Sequence, residues 1–300
     1  MNRRNTPRIS FIGFGEAGQA IASGLKDAGV ERIAAWDILF PEQAGAPLKA
    51  AGEAIGVRAA ASAADAVRET DIVISAVTAA SSVDAARSVA SHLKGNPYYL
   101  DINSVSPGRK KETAKLLDER ARYVDVAVVA AIHPARHRTP LLIAGPHAEE
   151  ISPLLRELEM QLSVVGPETG SAAAIKMIRS VMIKGIEALT LECFLAAARA
   201  GVLDEVTTSL KNNYPTLDWG QIADYNLERM ASHGTRRAAE MEESAATLRE
   251  LGLDPLMVQS TVERQREMGT IGKLETVRAA LNSGRAAILS AINAATKSRH

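Results

Sequence analysis

Short apolar runs alternate with amphipathic stretches over the first half of the chain, up to about residue 165. The short runs predict strands, whereas apolar residues that recur every three or four positions predict helices. Strands and helices in alternation are typical of a parallel sheet with helices on both faces. We therefore predict an α/β fold built on a doubly wound parallel sheet. The predicted strands are residues 9–13, 32–37, 57–60, 71–77, 98–102, 123–129, 141–144 and 163–165, and the predicted helices are residues 16–28, 62–69, 82–93, 107–121 and 148–160.

The pattern changes after Gly166, where strand signals largely end. Residues 171–200 contain no proline and are apolar on almost every side, which predicts a buried central helix. We expect an α/β domain over residues 1–166 and an all-helical domain over residues 167–300. Breaks between the shorter helices that follow are expected near Tyr214-Pro215, His233-Gly234, residues 252–255, Gly269 and Gly272.

A glycine-rich turn joins the first predicted strand to the first predicted helix. Its first glycine permits a sharp turn, its second leaves room for a pyrophosphate, and its third lets the helix pack closely on the strand. The pyrophosphate then lies on the free amides at the positive end of that helix. We therefore expect a Rossmann-type domain that binds a dinucleotide cofactor. The residues expected to contact it are Gly13, Phe14, Gly15, Glu16, Ala17 and Gly18.

An acidic residue, Asp37, ends the second predicted strand. A carboxylate at this place accepts hydrogen bonds from the adenosine ribose and repels a 2′-phosphate, so the pattern favours NAD, with NADP as the alternative. In such sheets, ligands bind beyond the carboxyl ends of the strands. The residues that this rule brings to the same rim are Val77, Thr78, Asn103 and Ser104.

Three polar residues interrupt the long apolar helix. Lys176, Ser180 and Lys184 are four residues apart and so share one face of that helix. A lysine that is partly removed from water gives up its proton more readily and can serve as a general base. Alternatively, Lys176 reaches solvent or pairs with a core carboxylate such as Glu187 or Glu192. The spacing by itself leaves both interpretations open.

Several of these segments resemble the β-hydroxyacid dehydrogenases, the group of 6-phosphogluconate and 3-hydroxyisobutyrate dehydrogenases. The likeness rests on residues 11–18, 101–107, 123–125 and 170–177. It implies that Lys176 is the catalytic acid and base, and that Asn103 and Ser104 lie near the nicotinamide and the substrate. It also implies that Val77 and Thr78 lie beside the cofactor.

Two departures from that family concern the substrate. Ser180 stands where the family has an asparagine, and we expect Ser180 and Ser104 to orient the substrate hydroxyl. The serine-glycine-glycine element that binds a carboxylate in the family is missing after Asp125. A basic loop follows instead, and its Arg136 and Arg138 are expected to bind an anionic substrate. The alternative is that this loop is an ordinary solvated surface.

The C-terminal part resembles a divergent phosphogluconate-dehydrogenase-like branch through residues 233–243. The functional interpretation is that His233, Arg236 or Arg237 reaches a substrate carboxylate, and we select His233 and Arg237. Arg236 and Glu240 also form an ordinary helical pair worth ~0.3–0.5 kcal/mol. The alternative is therefore a structural network of ion pairs.

Composition restricts the partners of the chain. Lys+Arg and Asp+Glu are both 35, and this balance argues against nucleic acid or an anionic membrane as the main partner. No signal-peptide pattern and no membrane-length apolar run is seen, so we expect a cytoplasmic protein. The single cysteine, Cys193, is expected to be buried. The scattered histidines predict no metal site. Surplus apolar helix surface predicts a homodimer.

These features together predict an NAD(P)-dependent oxidoreductase that transfers hydride between a nicotinamide cofactor and a small, anionic hydroxy acid. Lys176 would exchange the proton. One alternative is an imine or ketone reductase on the same scaffold. Another is a dinucleotide-binding sensor that has lost catalysis.

Overall fold

The computed structural model describes residues 6–297. It divides the chain into two compact units, one ending at Lys176 and the other beginning at Met177. The division lies later than the predicted boundary after residue 166. The basic residues 1–5 and His300 lie outside the described residues. Within residues 6–297, no helix combines the length and the apolar character needed to cross a membrane.

The first unit alternates strands and helices as the sequence pattern predicts. Its elements are β1 (Ile9–Ile12), α1 (Glu16–Asp27), β2 (Ile33–Trp36), α2 (Ala46–Ala54), β3 (Arg58–Ala59), α3 (Ala63–Ala66), β4 (Ile72–Ser75), α4 (Ser82–Ala90), β5 (Tyr98–Asp101), α5 (Pro107–Leu116), β6 (Arg122–Val128), β7 (Leu141–Ala144), α6 (Ala148–Glu157) and β8 (Leu162–Val164).

These strands form one eight-stranded sheet in the order β3-β2-β1-β4-β5-β6-β7-β8. The strand order reverses next to β1, since β2 and β4 flank it, and this reversal defines a doubly wound sheet. All four residues of β1 and all four of β4 are buried, as expected for strands covered on both faces. The predicted fold class is confirmed.

One strand departs from the parallel arrangement. β7 pairs antiparallel to β6, while every other neighbouring pair is parallel. A parallel return needs a long crossover, usually a helix. Between β6 and β7 the chain forms only a single short 3-10 turn over Arg136–Arg138 and then reverses direction.

Two serines cap the N-termini of helices of the first unit. The Ser62 side chain accepts a hydrogen bond from the Asp65 amide at the start of α3, at 3.0 Å. Ser106 accepts one from the Arg109 amide at the start of α5, at 3.4 Å. Each N-cap satisfies a backbone N–H that the helix itself cannot, a contribution of about 1 kcal/mol.

The second unit is helical throughout its described residues. The helix that enters it is α7 (Ser171–Ala200), followed by α8 (Leu203–Asn213), α9 (Trp219–Glu250), α10 (Leu256–Ile271), α11 (Glu275–Ala280) and α12 (Arg285–Lys297). The predicted bounds of the long helix and the breaks near residues 214–215, 252–255 and 272 are confirmed.

Two predicted breaks are wrong, because the glycines concerned serve packing. α9 continues through His233 and Gly234, and α10 continues through Gly269. A Cβ on Gly234 would lie 2.4 Å from the Gly269 nitrogen, and one on Gly269 would lie 2.3 Å from the Thr235 nitrogen. The backbones of α9 and α10 therefore touch, and neither glycine leaves room for a side chain.

The expectation that α7 is buried all round is also wrong. One face of α7 packs into the core of the helical unit through Leu191, Phe194 and neighbouring residues. Its other face exposes apolar side chains spaced three or four apart, here called the α7 stripe: Ile178 (46%), Met182 (65%), Ile186 (39%) and Leu189 (59%). Cys193 follows at the same spacing and is exposed rather than buried. Within residues 6–297, the side chains of the α7 stripe lack the covering neighbours that the opposite face of the helix has.

Candidate active site

The glycine turn sits between β1 and α1 of the first unit. Gly13 adopts a φ of +90°, which other residues rarely tolerate, and a Cβ there would lie 2.4 Å from the Ala76 carbonyl oxygen. A Cβ on Gly18 would lie 2.7 Å from the Gly13 carbonyl oxygen. A Cβ on Gly15 would meet nothing within 4 Å. The first and third glycines are thus required by packing, whereas the second faces open space that a ligand can enter.

The start of α1 offers backbone amides next to that space. Gly15 is the N-cap residue of α1 and forms no side-chain cap, while Glu16 is the first helical residue and Ala17 follows. The first N–H groups of a helix lack intrahelical partners and attract anions. Phe14 is fully buried against Phe11 and Phe40, so it can offer a ligand only its backbone. This arrangement fits a pyrophosphate.

The carboxylate of Asp37 is held beside the glycine turn. Its Oδ2 accepts a hydrogen bond from the Phe14 amide at 2.7 Å, and its Oδ1 accepts one from the Leu39 amide at 3.0 Å. The Gly13 amide donates to the Trp36 carbonyl at 2.8 Å, which fixes the ends of β1 and β2 together. An acceptor with spare lone pairs thus lies where an adenosine ribose would be expected.

The ends of β4 and β5 are joined by Asn103. Its Oδ1 accepts from the Val77 amide at 2.7 Å, and its Nδ2 donates to Ser75 Oγ at 2.9 Å. Asn103 is buried, so its side chain fixes the loop after β4 rather than facing solvent. Thr78, the next residue of that loop, is exposed.

Lys176 meets Ser104 within the first unit. Lys176 Nζ donates to Ser104 Oγ at 2.5 Å, and both residues are partly buried. Asp125 holds the start of α7, because its Oδ2 accepts from the amides of Gly170 and Ala173, each at 3.1 Å. A primary amine and a hydroxyl in contact at the end of a strand can exchange a proton with a bound alcohol.

A buried lysine of α5, which the sequence analysis did not identify, lies between these elements. Lys110 is fully buried, and its Nζ lies 3.1 Å from Asp101 Oδ1 and 3.5 Å from Asp125 Oδ1. Near its start, α5 carries Arg109, Lys110 and Lys111 in succession, and the sequence does not indicate which of these faces inward. A signal in the sequence was the pair of aspartates on neighbouring strands, Asp101 at the end of β5 and Asp125 within β6.

Ser180, a candidate residue in the helical unit, already has a polar partner in that unit. Ser180 Oγ accepts from Lys184 Nζ at 3.1 Å, and Lys184 Nζ lies 3.0 Å from Glu240 Oε2. Both Ser180 and Lys184 are buried, and burial lowers the pKa of the Lys184 ammonium. Ser180 thus has a charged neighbour that the sequence analysis left without a role.

Arg237 and His233 differ in how accessible they are. Arg237 is buried in an ion pair with Glu187, and Gln265 Nε2 donates to the same carboxylate at 2.9 Å. This places Arg237 in a structural ion pair, the alternative that the sequence analysis left open. His233 is only partly buried, and this burial, followed by the positive charge of Arg229, lowers its pKa.

The basic loop is not brought to the glycine turn. Arg136 pairs with Asp27 at 2.7 Å and donates to Ser23 at 3.1 Å, and both partners lie in the second half of α1. Arg138 pairs with Glu159, whose pKa it lowers by donating a hydrogen bond. Both guanidiniums are paired with carboxylates, and Arg136 lies at the end of α1 opposite to the glycine turn. Substrate binding by Arg136 and Arg138 stays a prediction.

No group of three or more His, Cys, Asp or Glu side chains among residues 6–297 is arranged to hold a metal ion. The basic loop contains two histidines, His133 and His137. His137 is buried against α1. A Cβ on Gly24 would lie 2.0 Å from its Nδ1, so the ring packs directly on the helix backbone.

Two family models match the chain. The NAD binding domain of 6-phosphogluconate dehydrogenase matches residues 8–166, more than half of the chain. A domain of unknown function, DUF1932, matches residues 197–268 in the helical unit. The predicted resemblance is confirmed for both parts of the chain.

Two solved structures are similar in sequence as well as in fold. A conserved hypothetical protein from Sinorhizobium meliloti 1021 is 35% identical, with 97% of each chain covered and a TM-score of 0.75. A conserved protein of unknown function, described as structurally similar to 3-hydroxyacid dehydrogenases, is 31% identical. That match covers 88% of this chain and 97% of the other, with a TM-score of 0.70.

More distant structures share the fold alone. The 3-hydroxyisobutyrate dehydrogenase of Mycobacterium tuberculosis, solved with L-serine, is 15% identical with a TM-score of 0.70, covering 96% of this chain and 99% of the other. An imine reductase from Myxococcus stipitatus, solved with NAD+, is 21% identical with a TM-score of 0.56, covering 95% and 99%.

Proposed function

The chain belongs to the family defined by the NAD binding domain of 6-phosphogluconate dehydrogenase, and we propose that it transfers hydride between a nicotinamide cofactor and a small hydroxy acid. The observation that carries this proposal is the hydrogen bond between Lys176 and Ser104. Lys176, which we propose as the proton-transfer group, lies in the same unit as a glycine turn suited to a dinucleotide. The similar 3-hydroxyisobutyrate dehydrogenase, with its bound L-serine, supports a substrate that carries both a hydroxyl and a carboxylate.

Lys176 acts as the general base when the alcohol is oxidised. Its neutral amine takes the hydroxyl proton while the carbon–hydrogen bond breaks and the carbonyl forms. The bound nicotinamide supplies the hydride acceptor. Ser104 fixes the Lys176 amine and orients the substrate hydroxyl. In the reverse direction the Lys176 ammonium donates the proton to the carbonyl oxygen.

The cofactor is held by the glycine turn and the neighbouring strand ends. The amides of residues 15–18, at the start of α1, receive the pyrophosphate, and Asp37 accepts hydrogen bonds from the ribose. Val77, Thr78 and Asn103 border the nicotinamide half. Since Asp37 is negatively charged and no basic residue follows it before residue 49, we propose that NAD is preferred over NADP.

Replacing Asp37 with asparagine is expected to reduce the preference for NADH over NADPH roughly tenfold. The amide keeps an acceptor for the Phe14 N–H, but it no longer repels a 2′-phosphate. Dissociation constants for both cofactors, measured by nicotinamide fluorescence, give the ratio. Asp84→Asn, at an exposed carboxylate paired with Arg87, is the control and should leave the ratio unchanged. An unchanged ratio in Asp37→Asn would contradict a role of Asp37 in binding the ribose.

The anion-binding groups for the substrate carboxylate are open to direct test. Arg136, Arg138 and Arg237 are each paired with a carboxylate, so His233 is the residue proposed for this role that lies outside the ion pairs described for residues 6–297. The pairing of these arginines with carboxylates also favours the second candidate function, an imine or ketone reductase. An imine or ketone reductase acts on a substrate that needs no carboxylate site, and the similar imine reductase shares the fold.

Hydride transfer in both directions tests these proposals. The full-length protein would be mixed with NAD+ or NADP+ over a panel of small hydroxy acids and sugar acids, and absorbance of the reduced nicotinamide followed. The reverse assay would use NADH or NADPH with oxo acids, ketones and cyclic imines. Turnover of hydroxy or oxo acids supports the proposal, whereas turnover of uncharged ketones or imines alone supports the reductase. Tight NADH binding without any turnover would support a dinucleotide sensor.

The α7 stripe supports a homodimer. Large exposed apolar patches rimmed by polar residues mark association surfaces, and a two-fold interface uses the same patch from both copies. Leu189→Glu is expected to convert the dimer to a monomer by placing a charge in the interface, as measured by light scattering after gel filtration. Leu256→Glu, at a leucine that is 67% exposed outside the stripe, should remain dimeric. A wild-type chain whose mass is that of a monomer at all concentrations would refute the dimer.

A further inference from the structure

The buried ammonium of Lys110 lies between Asp101, at the end of β5, and Asp125, within β6. The Lys110 side chain is 1% exposed, and those of Asp101 and Asp125 are fully buried. Burying a charge is costly unless it is paired and its hydrogen-bonding groups are satisfied. Lys110 meets this condition with two carboxylates and two backbone carbonyls, those of Asp101 at 2.5 Å and Val126 at 3.3 Å.

One side of this cluster fixes the chain that leads to Ser104. Lys110 contacts both the carbonyl and the carboxylate of Asp101, the last residue of β5. The same carboxylate accepts from the Asn103 amide at 3.0 Å and from Tyr123 Oη at 2.8 Å. The backbone from Asp101 to Asn103 is therefore bound to Lys110 directly before Ser104.

The other side fixes the start of the helix that carries Lys176. Asp125 Oδ1 faces Lys110, and Asp125 Oδ2 accepts from the amides of Gly170 and Ala173. Lys176 follows Ala173 by three residues, less than one helical turn. Burial raises the pKa of Asp125, and the charge of Lys110 is the largest opposing influence. Lys110 thus favours the ionised carboxylate that caps α7.

We propose that Lys110 is a positioning residue that sets the separation between Ser104 Oγ and Lys176 Nζ. Each end of that hydrogen bond is anchored, through one aspartate, to the same ammonium. Without the ammonium, Asp101 and Asp125 face each other as two buried carboxylates and repel. The end of β5 and the start of α7 then move apart, and the pair loses its contact. The consequence for catalysis rests on the proposed function, whereas the geometric effect does not.

Lys110→Met tests this with a closely matched control. Methionine preserves most of the buried volume and removes the charge. Lys111→Met makes the same change at the next residue of α5, which is exposed. Crystal structures of both variants give the Ser104 Oγ–Lys176 Nζ distance without any substrate. We expect it to exceed about 3.5 Å, beyond hydrogen-bond reach, in Lys110→Met and to stay short in Lys111→Met. An unchanged distance in Lys110→Met would overturn the proposal.

Kinetics supply the second readout. With the best substrate of the wild type, Lys110→Met is expected to lower kcat roughly 10- to 100-fold, since small misplacements of reacting groups are costly. The NADH dissociation constant should change less than about twofold, because the glycine turn is untouched. The pH of half-maximal kcat should also move, which a smaller folded fraction cannot cause. Wild-type kcat and pH profile in Lys110→Met would contradict the positioning role.

Two further outcomes are decisive. If Lys110→Met does not fold, the double variant Asp101→Asn/Lys110→Met removes one of the opposed charges and is measured in the same way. Failure of both to fold would overturn the proposal in favour of a purely structural lysine. A wild-type chain that transfers no hydride would refute the proposed function, while the crystallographic distance would still decide the role of Lys110.

Discussion

Lys176→Ala is expected to lower hydride transfer by roughly 10²- to 10⁴-fold, the range that a general acid and base contributes. The amine that touches Ser104 at 2.5 Å is removed, so the substrate hydroxyl has no base to receive its proton. Cofactor affinity should remain close to that of the wild type, because Gly13 to Gly18 and Asp37 bind the dinucleotide independently of this side chain. Initial rates and NADH titration on the same preparation provide both numbers.

Two comparisons make this result specific. Lys115→Ala removes an exposed lysine from α5 and should leave both rate and affinity unchanged. Ser104→Ala keeps the amine but removes its hydroxyl partner, so we expect a smaller loss than in Lys176→Ala. Turnover that survives in Lys176→Ala would exclude this lysine as the acid and base. A parallel loss of NADH affinity would instead assign it to the architecture of the cofactor site.

Arg237→Met is expected to destabilise the helical unit by about 3–5 kcal/mol. The substitution leaves the Glu187 carboxylate buried without its cation, since the side chains of Arg237 and Glu187 are only 8% and 2% exposed. Gln265 Nε2 still donates to Glu187 at 2.9 Å, but a neutral amide does not balance the charge. Urea denaturation followed by circular dichroism measures the change in the free energy of unfolding.

The neighbouring arginine offers the control for this prediction. Arg236 is 58% exposed and pairs with Glu240 one turn along α9. Arg236→Met should therefore cost only ~0.3–0.5 kcal/mol, the usual value of an exposed helical pair. If Arg237→Met cost no more than Arg236→Met, the Glu187 carboxylate would have to reach water or take up a proton.

The strand ends and the glycine turn could be predicted from local patterns in the sequence. β1, β4 and β5 are short apolar runs with clear ends, and the predicted and observed bounds differ by at most two residues. The long helix was also predicted with its observed bounds, because thirty residues without proline leave few alternatives. The helix Ala46–Ala54 was missed, since its four alanines and one glycine give a weak apolar period.

The features that could not be predicted depend on contacts between residues that are far apart along the chain. Gly234 looks like a helix break until Gly269, from another helix, is brought against it. Ile178 and Leu189 look like core residues because their spacing does not indicate which face has a neighbour. Lys110 looks like its exposed neighbour Lys111, and only the sheet brings Asp101 and Asp125 to either side of it. Arg136 looked free because Asp27 lies far away along the chain.

The contact of α9 and α10 at Gly234 and Gly269 also bears on motion within the helical unit. Helices that meet through side chains can slide by exchanging rotamers, whereas backbones in direct contact have no such freedom. α9 and α10 are therefore expected to move as one rigid body, with conformational change in this unit confined to contacts made by side chains. Hydrogen exchange would then give the slowest amides of both helices one shared opening free energy.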